Sequence, residues 1–512
     1  MAEEKDTYVC TQWLFLRALG LIYFLAFISL GLEIHGLLGS RGILPVSTYL
    51  TSLTDSLPPD MAVAIAPSLV WFNSSDGFLS FLCWGGALAG LGVFFSVATA
   101  PLLVVAWLFY LSLVNVGQDF LSFQWDILLL ETGFLAIFWS PWQLLGPSWK
   151  GKLILEPQPW TFKVGLYLLR WLLFRLMFLS GTCKLLSGDE TWRNFTALKF
   201  HYLTQPLPTP LAWLADQMPN WFQSFSVGAV FFIEIMVPVL FFMPRRLRLA
   251  GAALTALLQV VILLTGNYTF FNLLTLALCI PLLDDRALKS VLPARLRELI
   301  IGGQVAQSPS SAKLGTAKLA VRRAAVSLLA VMVGMATLSQ MSLLPVENLR
   351  SLPIAVRRLF FAAQSLHIVN SYGLFAVMTT RRLEIQVEGS NDGVTWLPYV
   401  FKYKPGPLDR PPPIVAPLQP RLDWQMWFAA LGTVDENPWF FKFAERLLQA
   451  SPDVVHLLET DPFYGKPPKL LRAELYEYKF SRFAELWNGG IWWKRTPAGS
   501  YMQPVSLSNF AK

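Results

Sequence analysis

Apolar runs longer than an ordinary core helix recur through the first two thirds of this chain, and no other feature constrains its fold as tightly. A helical crossing of a bilayer takes about 17 to 25 mainly apolar residues. Stretches of that kind lie near 13–33, 78–97, 100–115, 125–143, 163–185, 225–243, 250–266, 268–283 and 324–344. The expectation is an α-helical polytopic membrane protein with about nine transmembrane helices. Composition agrees, since 54% of the 512 residues are hydrophobic and only 14% are charged, against about 25% charged in a soluble domain. Disorder is excluded, and a soluble enzyme of this length is disfavoured. The first run follows Glu3, Glu4 and Asp6 and has no small-residue cleavage site after it, so it reads as a retained span rather than a signal peptide.

The net charge of +8 would suggest nucleic acid in a soluble chain, but in a membrane chain basic residues sort the loops by side. With nine spans and the N-terminus inside, the inner segments hold fifteen Lys and Arg between Lys5 and Arg323, and the outer loops hold only Arg41, Arg193 and Lys199. This divides the chain into a cytoplasmic N-terminus (1–12), an eight-span membrane domain (13–283), a basic cytoplasmic linker (284–323), a ninth helix (324–344) and an extracytoplasmic domain (345–512). That last domain is polar, rich in aromatic residues and expected to be mixed and β-rich. Three NxS/T sequons, at Asn73, Asn194 and Asn267, all fall on the outer side. Asn73 and Asn194 are the candidate glycosylation sites, because Asn267 sits in a turn too close to the bilayer.

Ionisable groups inside spans cost several kcal/mol unless paired or near an interface. Arg17 and Glu33 lie near span ends and can reach the headgroups. Asp126 and Glu131, Arg170, Arg175 and Lys184, and Glu234 sit deeper, on three different spans. At about 1.5 Å per helical residue, Glu131, Arg175 and Glu234 fall roughly 9, 15 and 14 Å below the outer edge. Opposite charges at similar depth predict a buried charge cluster of these residues. It either fixes which helices are neighbours or lines a polar cavity for a substrate or lipid headgroup.

No catalytic constellation is legible. Cys10, Cys83, Cys183 and Cys279 show no CxxC, and His35, His201, His367 and His456 are far apart without ligand spacing. GxSxG and phosphate-loop patterns are missing from the sequence. No catalytic residue, cofactor or metal is therefore assigned.

The outer segment 186–224 mixes aromatics, prolines and a few charges, as an interfacial cap would. Its string TWRNFTALKFHYLTQPLPTPLAW, preceded by RWLLFRLMFLSGTCKL and followed by GNYTFFNLLTLALCIPLLDD, resembles the membrane region of the lipase maturation factor family, as does FQWDILLLETGFL. Trp192, His201, Tyr202, Gln205 and Pro206 are the loop residues that carry the match. In the polar region HIVNSYGLFAVMTTRRLEIQVEGSNDGVTWLPYVFKYKPG, APLQPRLDWQMWFAAL and DPFYGKPPKLLRAELYEYKFS resemble the same family, so the likeness runs from about Trp13 to Ser506.

The resemblance implies a polytopic protein of the endoplasmic reticulum of animals that assists folding and assembly of secreted homodimeric lipases, with its soluble domain in the lumen. The chain is short for the family, with brief inner loops. That suits a compact bacterial member, in which the inner membrane replaces the reticulum. A more remote likeness links the membrane half to the vitamin K-dependent gamma-carboxylase.

Read from its residues, the outer domain should contain a hairpin, since RLEIQVEG and WLPYVFKY flank the turn signal SNDGVT, and a helix over 439–449. Arg421, Asp423, Trp424 and Trp427 in RLDWQMWF are the candidate client contacts. The alternative for them is a core helix with an Arg to Asp pair. Two functions stay open. One is a membrane-anchored folding factor whose partners are membrane lipids and a secreted lipase-like client, without nucleic acid. The other is an integral-membrane enzyme in which a desolvated acid or Lys184 acts as base.

Overall fold

The first eight apolar runs each coincide with a helix in the computed structural model, which describes residues 7–142, 160–291 and 354–510 together with Ser327, Val333 and Gly334. These are α1 (Val9–Gly31), α2 (Asp76–Phe94), α3 (Thr99–Val116), α4 (Gln124–Trp139), α5 (Trp160–Leu186), α6 (Asn220–Phe231), α7 (Arg245–Thr265) and α8 (Phe271–Cys279). Beyond Phe231, α6 continues through a π turn and a 3-10 segment to Phe242. Among the described residues five helices are long and apolar enough to cross a membrane: α1, α2, α3, α6 with its extension, and α7. The others differ for visible reasons: α4 has 16 residues, α5 contains Lys163, Arg170, Arg175 and Lys184, and α8 with its 3-10 extension ends at Leu282. The ninth run, apart from Ser327, Val333 and Gly334, and most of the expected linker lie outside the described residues.

Small residues set the closest helix contact. A Cβ on Gly20 of α1 would lie 2.6 Å from the Phe94 amide nitrogen, and one on Gly90 of α2 would lie 2.7 Å from that of Phe24. Only glycine lets the two backbones meet there, the usual device between helices that cannot be driven together by water. The start of the expected linker is not loose. Its first turn, Asp285–Val291, is helical, and the Asp285 carboxylate accepts the Val9 and Thr11 N–H groups at 2.9 and 3.1 Å. Those are donors that the first turn of a helix leaves without an internal partner.

The C-terminal region contains α9 (Ile354–Ser365), β1 (Arg382–Ser390), β2 (Leu397–Pro398), β3 (Val400–Phe401), α10 (Arg421–Ala429), α11 (Pro438–Leu448), β4 (Leu458–Thr460), β5 (Leu470–Phe480), α12 (Phe483–Gly489) and β6 (Trp493–Val505). One sheet has the order β2-β1-β5-β6, and β3 pairs with β4. The hairpin forms at the turn read from sequence: Asp392 accepts the Val394 and Thr395 N–H groups, and Gly393 takes a φ of +74°. Its pairing is short, however, because the returning strand leaves after Pro398 and its continuation, β3, pairs with β4, while the other edge of β1 runs its whole length against β5, from Arg382 opposite Tyr478 to Ser390 opposite Leu470. The expected helix over 439–449 is α11.

One apolar core continues from Phe15 of α1 through Leu130 and Leu172 to Met426, Phe443 and Met502. The C-terminal region is therefore packed onto the helices rather than tethered beside them.

Candidate functional site

Asp126 begins the deepest joint. It lies in the first turn of α4, where it receives two hydrogen bonds from Arg421 of α10, at 2.8 and 2.9 Å, and one from the Tyr110 hydroxyl at 2.5 Å. One turn further, Glu131 pairs with Arg175 of α5. Its other oxygen accepts the Asn370 backbone N–H at 3.0 Å, the Asn370 amide at 3.1 Å and the Tyr372 hydroxyl at 2.8 Å. Arg175 also donates to the Asn370 carbonyl at 3.1 Å. Carboxylates buried this deeply are tolerable only with their lone pairs filled. Here five of the seven hydrogen bonds come from the C-terminal region, from Arg421, Asn370 and Tyr372.

The six span charges thus do not form one cluster, as their depths had suggested. Glu234 turns away from Arg175 and takes Lys184 at 2.7 Å. The reason is local: Glu234 rides on the π turn Phe232–Met236, which packs so closely on Gly181 of α5 that a Cβ there would sit 2.9 Å from the Glu234 Cβ. That places its carboxylate beside Lys184, about two and a half helical turns along α5 from Arg175. Among the described residues Arg170 joins no carboxylate; it donates to the Pro281 carbonyl at 3.0 Å and lies over the rings of Tyr8 and Tyr167.

The four candidate client contacts are buried. Arg421 is 1% exposed, Asp423 2%, Trp424 2% and Trp427 7%, so they present no surface to a client. Trp424 packs edge-on against Trp125, and the Trp427 indole donates to the Thr204 carbonyl at 2.8 Å. Asp423 does not pair with Arg421. It accepts the Tyr403 and Lys404 N–H groups, both at 2.8 Å, and burial lifts its carboxyl above the usual range, with those bonds opposing.

The loop residues gather at a second place. A cavity of about 540 Å³ lies among α5, α6, α7, α8 and the 190–216 loop, and its lining includes Lys184, Trp192, His201, Tyr202, Glu234, Tyr268 and Phe375. The Tyr268 hydroxyl donates to Gln205 at 2.9 Å and lies 3.2 Å from His201 Nε2. Burial and the nearby Lys184 hold the His201 imidazole down from 6.5 to about 4, so it is neutral. Pro206 is not in the lining. Its carbonyl accepts Arg382 at 2.8 Å, tying the loop to β1.

Two residues matter more than their sequence signals suggest. Asn370 carries the Glu131 joint, and the string HIVNSYG marks it only as part of a resemblance. Asn267, read as a poor sequon, is 2% exposed. Its amide bonds the Leu207 and Pro413 carbonyls and the Val415 and Ala416 N–H groups. Asn73 and Asn194 are exposed.

Among the described residues no group of three or more His, Cys, Asp or Glu is placed to hold a metal ion. The arrangement therefore offers a latch of buried charges and an amphipathic cavity.

Two family models match this chain: the lipase maturation factor transmembrane domain over residues 10–290 and the lipase maturation factor C-terminal domain over 368–503. Lipase maturation factor 2 of Xenopus tropicalis is 38% identical over 97% of this chain and 82% of its own length. The Homo sapiens lipase maturation factor 2 is also 38% identical, over 97% and 82%. Lipase maturation factor 1 of Homo sapiens is 35% identical over 98% and 89%. No solved structure matches.

Proposed function

Because the chain belongs to the lipase maturation factor family, we propose that it is a membrane-anchored maturation factor assisting the folding and assembly of secreted lipases. The observation that carries this reading is a family likeness spanning both the helices and the C-terminal region. The finer topology belongs to the same proposal: nine spans, the N-terminus in the cytoplasm, and residues 345–512 in the lumen of the endoplasmic reticulum, with glycans at Asn73 and Asn194. The loop charge bias supports it. An enzymatic role draws less support, since Lys184, the candidate base, is engaged by Glu234.

In this reading, client contact passes from the buried tryptophans of α10 to the exposed aromatics of the outer region. Tyr464 is 92% exposed and Trp487 91%, and a non-native client surface is recognised through such side chains. The test is secretion of active homodimeric lipase from cells lacking their own maturation factor and supplied with this chain. Tyr464→Ser with Trp487→Ser should lower active lipase several-fold with thermal stability unchanged. Equal lipase output from the double variant and the parent would move the client surface elsewhere; no output from the parent itself would count against the lipase client.

A further inference from the structure

The cavity between α5, α6, α7 and α8 is lined by residues of all four helices. Its rim is made by Leu211, Phe222, Phe225, Leu257, Val261 and Leu264, all exposed. They stand mostly on α6 and α7, the two candidate spans least buried by the rest of the protein: 33% of each apolar window is buried, against 61% for α1 and α3. The mouth therefore faces the lipid side of the helices. At about 540 Å³ the cavity falls in the range of roughly 300 to 1,000 Å³ that small-molecule sites occupy.

Among the polar groups that line it, one pair is incompletely satisfied. Asn272 of α8 is fully buried, and its amide donates to the Gln259 carbonyl of α7 at 2.8 Å. Its own side-chain oxygen has no hydrogen-bond partner. The Gln259 amide nitrogen reaches only the Met177 thioether, at 3.9 Å. Both residues line the cavity, so this amide pair offers a guest one free acceptor and one weakly used donor. An unfilled acceptor this deep is costly, and a hydroxyl supplies the donor and acceptor that the pair asks for. The charges that line the cavity are already balanced, Lys184 by Glu234 at 2.7 Å, and no arginine is in the lining. An anionic headgroup would find no free cation there.

We propose that this cavity binds a neutral, hydroxyl-bearing lipid that enters from the bilayer between α6 and α7, with its chain along the apolar wall and its hydroxyl on the Asn272–Gln259 amide pair. The site stands independently of the client role.

The probe is a monoacylglycerol with a photoactivatable diazirine in its acyl chain, added to the purified full-length chain in nanodiscs, with labelled peptides mapped by mass spectrometry. Label should concentrate on the facing sides of α6 and α7. Unlabelled monoolein should compete, while methyl oleate, which has no hydroxyl donor, and the anionic lysophosphatidylglycerol should compete about tenfold less well, the loss expected of one buried hydrogen bond or an unbalanced charge. Asn272→Leu should weaken labelling by a similar factor. Ala229→Trp, which fills the cavity without removing a hydrogen bond, should abolish it in a protein that still elutes as a single species, and it carries the test if Asn272→Leu does not fold. Competition by methyl oleate equal to that by monoolein would reduce the site to an apolar void. Stronger competition by lysophosphatidylglycerol, label spread evenly over lipid-facing positions, or label undiminished in Ala229→Trp would overturn the proposal.

Discussion

Arg421 of α10 holds Asp126 of α4 through paired hydrogen bonds of 2.8 and 2.9 Å, with both side chains buried and the two residues 295 positions apart in the chain. Parallel two-point geometry makes this a strong charge-assisted contact. It joins a polar region to an apolar helix at a depth where neither charge is stable alone. Glu131 repeats the arrangement one turn on, with Arg175 from the helices and Asn370 and Tyr372 from the C-terminal region. The C-terminal region is in this sense part of the solvent shell of the helices, and its removal would strip two buried carboxylates of most of their donors.

Arg421→Met should destabilise the protein by about 3 to 5 kcal/mol, since it leaves Asp126 buried with only the Tyr110 hydroxyl. Arg421→Met with Asp126→Leu should recover most of that loss, because both charges are then gone. Unfolding of the purified protein in detergent measures both. A single variant as stable as the parent would mean that the latch is not made.

The pairing of the other span charges can be read from double-mutant cycles. Arg175→Met should couple strongly to Glu131→Gln and weakly to Glu234→Gln, while Lys184→Met should couple to Glu234→Gln. Close charged pairs give interaction energies of about 0.5 to 3 kcal/mol, and sites without shared partners add within about 0.5. Strong coupling of Arg175 to Glu234 would restore the single cluster that depth alone suggests.

His201 should give the protein an acid sensitivity. The folded state holds its imidazole at about 4 instead of 6.5, so between those values the unfolded chain binds more protons and stability is lost as pH falls. Asp216 acts in the opposite sense. Burial raises its carboxyl from 3.8 to about 6, so the folded state holds the extra proton and gains stability as pH falls through that range. In an Asp216→Asn background, stability should therefore fall from pH 6.5 to 4 by at most about 1.4 kcal/mol per pH unit from this one group. His201→Gln should flatten that slope, as followed by thermal melts across the range.

Topology is tested by labelling single cysteines in a cysteine-free background. A cysteine at Asn391 should react with an impermeant reagent from the lumenal face, and one at Ser308 should not. Reaction of both from the same side would refute the single span placed between them, at 324–344.

Hydropathy by itself placed the helices of the membrane region and the polar C-terminal region, because a lipid environment forces each backbone segment to satisfy its own hydrogen bonds and excludes charge from long stretches. Turn chemistry likewise located the hairpin at Asp392–Gly393. What the linear order cannot carry is the rotation of one helix against another. Residue spacing gives depth at about 1.5 Å per residue, and on depth alone Arg175 suits Glu234 as well as Glu131. The close approach of Gly181 to the π turn gives Glu234 to Lys184, and Asn370, Tyr372 and Arg421 arrive from more than 230 residues away to complete Glu131 and Asp126. The same packing hides Trp424 and Trp427, whose pattern in RLDWQMWF is that of any amphipathic helix until a second surface covers its polar side as well. Partner choice among buried charges is a property of three-dimensional proximity, where one ångström separates a compensated ion from an untenable one, and only the tertiary structure supplies it.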